Sequence, residues 1–190
     1  MNIKRVILAS VVGAIVAFIW TLASWMALSW HDIDFRSFAD DKPVAQTIMS
    51  QTTDSGIYML PNADPDAHND PEKHAQWISD AAKGPFALIV LKREGTEIVM
   101  GMQMLKMIMI QFAAALLFTL LLAQTRIQAL AARAVFVMVA AVAGGAIVHL
   151  SNWAWWGFPV VTTLVGIADM AITWLLAGFA IGKIYKANTS

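Results

Sequence analysis

FPVVTTLVGIADMAITWLLAGFAIGKIY, residues 158 to 185, decides how this chain is built, because between Phe158 and Lys183 it carries a single charged side chain, Asp169. A run of roughly 20 apolar residues suffices to cross a hydrocarbon core of about 30 Å. Three more runs of the same kind lie upstream: Val6 to Trp30, about Lys106 to Gln124, and Ala134 to Leu150. The charges are sorted around them. Every acidic residue except Asp169 falls between Asp32 and Glu97, whereas Lys4, Arg5, Arg126, Arg133, Lys183 and Lys186 stand at the opposite ends of the runs. Cytoplasmic loops retain Lys and Arg, so both termini and the loop from Gln124 to Arg133 are expected inside and the acidic segment outside.

Composition agrees, with 58% apolar and 14% charged residues against a soluble average of roughly 25% charged. The net charge of +0 hides an asymmetry: Asp32 to Glu97 holds twelve of the thirteen acids, and the proposed inner ends hold bases alone. That balance gives no indication of nucleic acid as a partner. The absence of cysteine excludes a disulfide framework, a thiolate metal site, a cysteine nucleophile and a lipoprotein anchor. The first run, about 25 residues after Lys4-Arg5, exceeds the 7–15 apolar residues of a signal peptide and reads as a retained anchor. Trp25 and Trp30 fall at its outer end, and Trp153, Trp155 and Trp156 mark the same surface, as an interfacial aromatic belt does.

The fold class expected is a membrane all-α four-helix bundle with a small α/β extracytoplasmic domain between the first and second spans. Residues 1–30 form the first span, 31–103 the outer domain, and 104–190 the remaining spans with short loops, which make spans two, three and four consecutive antiparallel neighbours. In the outer domain a helix starts near Pro43 with Asp41 as its cap and buries Val44, Ile48 and Met49. Ile57 to Leu60 is a strand closed by Pro61. Asp70-Pro71 opens a second helix with His74, Trp77, Ile78 and Ala81 on one face, and Gly84-Pro85 ends it after Lys83. Phe86 to Lys92 and Glu97 to Gln103 are expected to pair as a hairpin around Gly95.

Each span carries small or polar residues at helical spacing, the pattern by which membrane helices approach closely. Asp169 lies about 11 residues inside Phe158, hence roughly 16 Å deep and near the bilayer centre. No Lys or Arg stands at its level, and His149 is expected about 10 Å above it. An ionisable residue there is a functional candidate by default. Its readings are a protonated Asp169 hydrogen-bonded to a Thr, a Ser or Trp20, a proton or cation site, and a subunit contact. The intramembrane polar path drawn from the stripes is Asp169, Thr173, Thr162, His149, Asn152 and Gln111.

Other constellations are weaker. Asp64, Asp66, His68 and Asp70 alternate oxygen and nitrogen donors as metal loops do, but Asn69 and Ala75 stand where a calcium loop needs Gly and Glu. A plain acidic loop with a helix cap is the preferred reading, so no metal and no cofactor is assigned. Five methionines between Met100 and Met109 suit Cu(I) chemically but read better as adaptable packing. No nucleophile elbow, phosphate loop or zinc-protease helix is present, so no catalytic residue is assigned and an enzyme is disfavoured.

Ser55-Gly56-Ile57-Tyr58 with Pro61, Gly84-Pro85-Phe86 opening an apolar strand, and a Trp-rich turn before an Asp-bearing last span resemble a group of uncharacterised four-span bacterial inner-membrane proteins with one extracytoplasmic domain. The resemblance implies a bacterial inner-membrane location and brings no activity with it. The functional expectation is a non-enzymatic membrane protein that docks a partner or senses through its outer domain, in contact with the bilayer and with a protein partner or a second copy of itself. The alternative is a small proton- or cation-coupled transporter or channel component using Asp169. A membrane enzyme ranks third.

Overall fold

The computed structural model describes residues 2–33, 35–63 and 65–186, apart from the side chain of His68. The described residues form six α-helices and one two-stranded sheet: α1 (Ile3–Ala27), α2 (Asp41–Gln51), β1 (Gly56–Leu60), α3 (Pro71–Lys83), β2 (Ala87–Leu91), α4 (Met100–Ala123), α5 (Leu130–Trp156) and α6 (Val160–Ile184). Short 3-10 turns occupy Ser29–His31 and Pro65–His68. Four of the helices, α1, α4, α5 and α6, are long and apolar enough to cross a membrane. By contacts the chain divides into two units, one holding those helices and the other Arg36–Glu97 with Ala154–Phe158.

In the four-helix unit many of the buried residues are small. The inward face of α1 carries Val6, Ala9, Ser10, Gly13, Ala14, Ala17 and Ser24, spaced as one side of a 3.6-residue helix. Small side chains allow backbones to come close, and van der Waals packing then replaces the hydrophobic effect as the source of cohesion. Gly13 shows the consequence: a Cβ there would lie 2.6 Å from Ile181 Cγ1 on α6 and 3.5 Å from Ala115 on α4. One turn away, Ser10 Oγ donates to Thr119 Oγ1 of α4 at 3.3 Å. On α6, Gly178 approaches α5 so closely that a Cβ would meet Ala134 O at 2.9 Å. The close neighbour of α4 is α1, which also packs on α6. The short loop after α4 therefore does not make α5 its main partner, contrary to the sequence expectation, because the Ser10, Gly13 and Ala17 face offers α4 a closer approach.

The second unit follows its local signals. Asp40 caps α2, accepting from Lys42 N at 3.0 Å, one residue before the cap expected. Val44 and Ile48 are half-buried and Met49 is exposed. Asp70 Oδ1 accepts from Glu72 N at 3.0 Å and Lys73 N at 3.3 Å at the start of α3. Gly84, at φ +71°, ends it in the left-handed region that favours glycine. On the expected face of α3, Trp77 and Ala81 are half-buried while His74 and Ile78 stay exposed.

The expected hairpin is corrected. β2 pairs antiparallel with β1, with Gly56 opposite Leu91, Ile57 opposite Val90 and Leu60 opposite Ala87. Gly95 forms its turn, donating to Lys92 O at 3.1 Å, but Met100 to Gln103 opens α4 instead of a strand. Two physical causes are visible. Met and Leu side chains, which are not branched at Cβ, favour helix over strand. Ser55 fixes the other register by accepting from Arg93 N at 2.9 Å and donating to Glu94 Oε2 at 2.5 Å, while Arg93 Nη1 donates to Met49 O, Thr52 O and Thr52 Oγ1.

Candidate functional site

The polar centre of the four-helix unit is built around Asp169. Nine residues from the start of α6, it lies roughly 14 Å along that helix, on the side that meets α1. Its Oδ1 accepts a hydrogen bond from Trp20 Nε1 of α1 at 2.7 Å. Its Oδ2 faces His31 Nε2 at 3.7 Å, with His31 7% and Asp169 14% exposed. That separation exceeds a direct hydrogen bond and lies within an ion pair when the imidazole is protonated.

His31 reaches this depth because α1 stops early. Leu28 is extended (φ −107°, ψ 129°) and the next three residues coil as a 3-10 turn, closed by Asp32 N donating to Ser29 O at 3.1 Å. The turn lays the imidazole flat on Trp25, with ring centroids 4.0 Å apart and planes within 3°. Ser24 Oγ then sits 3.1 Å from His31 Nε2 and accepts from Trp30 Nε1 at 3.0 Å. A hydroxyl has one donor and two acceptor positions, so Ser24 can accept from Nε2–H or donate to a bare Nε2.

The other residues of the expected path do not join this centre as one chain. Thr173 Oγ1 donates to the backbone carbonyl of Asp169 at 2.8 Å, a bond within its own helix that leaves the carboxylate alone. Gln111 Nε2 donates to Thr21 Oγ1 at 3.2 Å, making a separate node between α4 and α1. His149 lies against Gly166, where a Cβ would come within 2.6 Å of its Cε1, so that glycine makes room for the ring. Thr162 and Asn152 are half-buried. Further along the bundle, Val6, Ala9, Leu122, Val137 and Ile181 are fully buried and apolar. Among these apolar side chains the same end of the bundle also buries the polar Ser10, Thr119 and Arg133.

Sequence reasoning singled out Asp169 and named Trp20 among its hydrogen-bond candidates, and it missed His31 as its partner. Linear spacing places His31 beyond the end of the first run, and only the early stop at Leu28 returns it to the bundle. Of the acidic loop, Asp70 is spent on capping α3 and Asp66 forms an ion pair with Lys73 at 4.0 Å. Asp64 and the side chain of His68 lie outside the described residues. Among the described residues no three His, Asp or Glu side chains gather as a metal site.

The second unit offers a different kind of surface. Neither α2 nor α3 has a fully buried residue. Ile57 and Val90, cross-strand partners, are 71% and 75% exposed. On the other side of the sheet, Ile48, Leu60 and Ile89 line a groove of about 310 Å³ with Tyr58. Its rim hydroxyls are spent locally, Thr52 on Ile48 O at 2.7 Å and Tyr58 on Asp54 O at 2.6 Å. No protein family, curated protein or solved structure matches this chain.

Proposed function

We propose that the chain is a multi-pass bacterial inner-membrane protein that docks a protein partner, or senses the extracytoplasmic space, through the acidic domain of residues 31–103. The bundle serves as anchor and coupling element, both termini are cytoplasmic, and the role is non-enzymatic. The observation that carries this reading is the apolar pair Ile57 and Val90, left open on one face of a sheet in a unit whose helices bury nothing fully. Burying such side chains is worth roughly 1.5–3 kcal/mol each, a gain the domain leaves available to a partner. Outward apolar faces on the long helices, such as Ile7, Leu8, Ile15 and Ile19 on α1, support the membrane placement. So do the basic inner ends read from the charge rule.

A small proton- or cation-coupled transporter component is the second reading, favoured by His31 Nε2 facing the Asp169 carboxylate. Against it stands the break in the polar path, since Thr173 bonds only its own helix and Gln111 pairs with Thr21 apart from Asp169. The two separate experimentally. A photo-crosslinker placed at Val90 in native membranes is expected to give a discrete protein adduct that disappears with Ile57→Ser and persists with Asp169→Asn. Loss of ion uptake into liposomes with Asp169→Asn, without any Val90 adduct, selects the transporter.

A further inference from the structure

Asp169 finds its counter-groups inside the chain, and Arg133 at the basic end of the same bundle finds no opposite charge among the described residues. Arg133 lies in the first turn of α5 and is 5% exposed. Its stem rests on α6 at Gly182, where a Cβ would sit 3.1 Å from Arg133 Cβ. Nη1 donates to Tyr185 O, the C-cap of α6, at 2.8 Å. Nε is buried with no hydrogen-bond partner among the described residues. A guanidinium stays charged, and a buried charge without an opposite charge is strongly unfavourable. The end of α6 supplies roughly half an elementary charge at most.

The chain has no acid to offer at this end, because every Asp and Glu except Asp169 lies between residues 32 and 97. Its charged neighbours in sequence are all basic: Arg126 before α5, and Lys183 and Lys186 at the end of α6. The first N–H groups of α5 point the same way, since an α-helix leaves them without internal acceptors. Leu130 and Val135, on that end of α5, are exposed apolar side chains.

We infer that Arg133 binds a phosphate-ester anion, presented by the headgroup of an anionic phospholipid in the cytoplasmic leaflet. The edge of the guanidinium left by the Tyr185 bond, Nε with Nη2, is a fork that matches two phosphate oxygens. Basic clefts between membrane helices on the cytoplasmic side take such headgroups. Leu130 and Val135 would then meet the lipid's acyl chains. The inference rests on the membrane placement proposed above, because only that placement brings headgroups to this end of α5 and α6.

The test is native mass spectrometry of the full chain, delipidated in detergent and titrated with dioleoyl-phosphatidylglycerol or dioleoyl-phosphatidylcholine, with inorganic phosphate as a third titrant. Wild type is expected to prefer phosphatidylglycerol by roughly ten-fold or more, because the choline cation of phosphatidylcholine offsets the charge of the same phosphodiester. Arg133→Gln is expected to lose the preference, and Lys4→Gln, at another basic position, to keep it. Equal preference in Arg133→Gln and wild type overturns the site. Should Arg133→Gln not fold, Arg133→Lys decides, since a point charge lacks the fork: a weakened preference supports the site and full retention overturns it. Saturation by inorganic phosphate without any preference for phosphatidylglycerol overturns the lipid as source. A carbonate wash of native membranes separates the premise from the inference. A chain released by the wash defeats the membrane placement itself, whereas a chain that stays in the pellet and shows no lipid preference defeats only the Arg133 site.

Discussion

In the four-helix unit many of the residues that leave the surface are small ones on facing helices, Ala9, Gly13, Ala17, Ala115, Ala177 and Gly178 among them. In the second unit, Ala67 is the one fully buried apolar residue among those described. The first unit thus has a finished interior and an apolar exterior, which suits a lipid surrounding. The second keeps its shape through local hydrogen bonds, the Asp70 cap, the Ser55 and Arg93 clamp, and Trp77 Nε1 donating to Pro61 O at 3.1 Å. Stability sits in helix contact for one unit and in turn chemistry for the other. The same mutation should therefore have different consequences in each.

The largest effect is expected at the α5/α6 contact. Gly178→Leu forces a side chain into Ala134 and Val137, whose atoms already lie within 3.1 Å of a hypothetical Cβ, and should destabilise the bundle by about 3 kcal/mol or more. Gly144→Ala meets nothing within 4 Å and should instead gain up to about 1 kcal/mol. Denaturant unfolding of the purified chain in detergent measures both. If the two glycines behaved alike, close approach would not be what holds this unit together.

A smaller loss, about 2 kcal/mol, is expected for Asp169→Leu, which leaves Trp20 Nε1–H without its acceptor and removes the carboxylate that faces His31. Asp169→Asn keeps an oxygen for Trp20 and should lose less. The indole ring N–H resonance of Trp20 in an NMR spectrum should move with both variants. An unchanged resonance would show that the Trp20 bond does not form.

In the second unit, Ile57→Ser and Val90→Ser should change stability by no more than about 0.5 kcal/mol, as exposed substitutions usually do. A loss of 2 kcal/mol there would mean that this face is core, and would remove the contrast between the units. The smallest effect concerns Glu94, whose carboxyl is held below its ordinary range chiefly by the Ser55 hydroxyl. Such a lowered carboxyl favours the folded state above its unfolded pKa, and that contribution fades as pH falls through the folded value. Because Glu94 is fully exposed, the readout is its titration by NMR. Ser55→Ala should shift that titration upward toward the ordinary glutamate range, with little change in stability.

The four long helices were legible in the sequence because a membrane solvent imposes one simple demand, length without charge, and runs such as 158–185 meet it openly. Asp70, Pro71 and Gly84 were legible because capping is local chemistry. The β1/β2 pairing was not, since Phe86 to Leu91 is equally apolar whichever strand it joins. The choice was made by Ser55 and Arg93, 38 positions apart. His31 escaped for a related reason. Periodicity extrapolates a helix, and the extended Leu28 breaks it just where the polar residue can fold back. Arg133 was read as a topology marker, and only the position of Gly182 and the end of α6 reveals that it is buried.

The most direct test of the account is photo-crosslinking from Val90 in native membranes, with a bundle position such as Ile19 as the reference. The account predicts a discrete protein adduct from Val90 that Ile57→Ser abolishes, and lipid adducts alone from Ile19. Lipid or no adducts from both positions, with Ile57→Ser changing nothing, would contradict it.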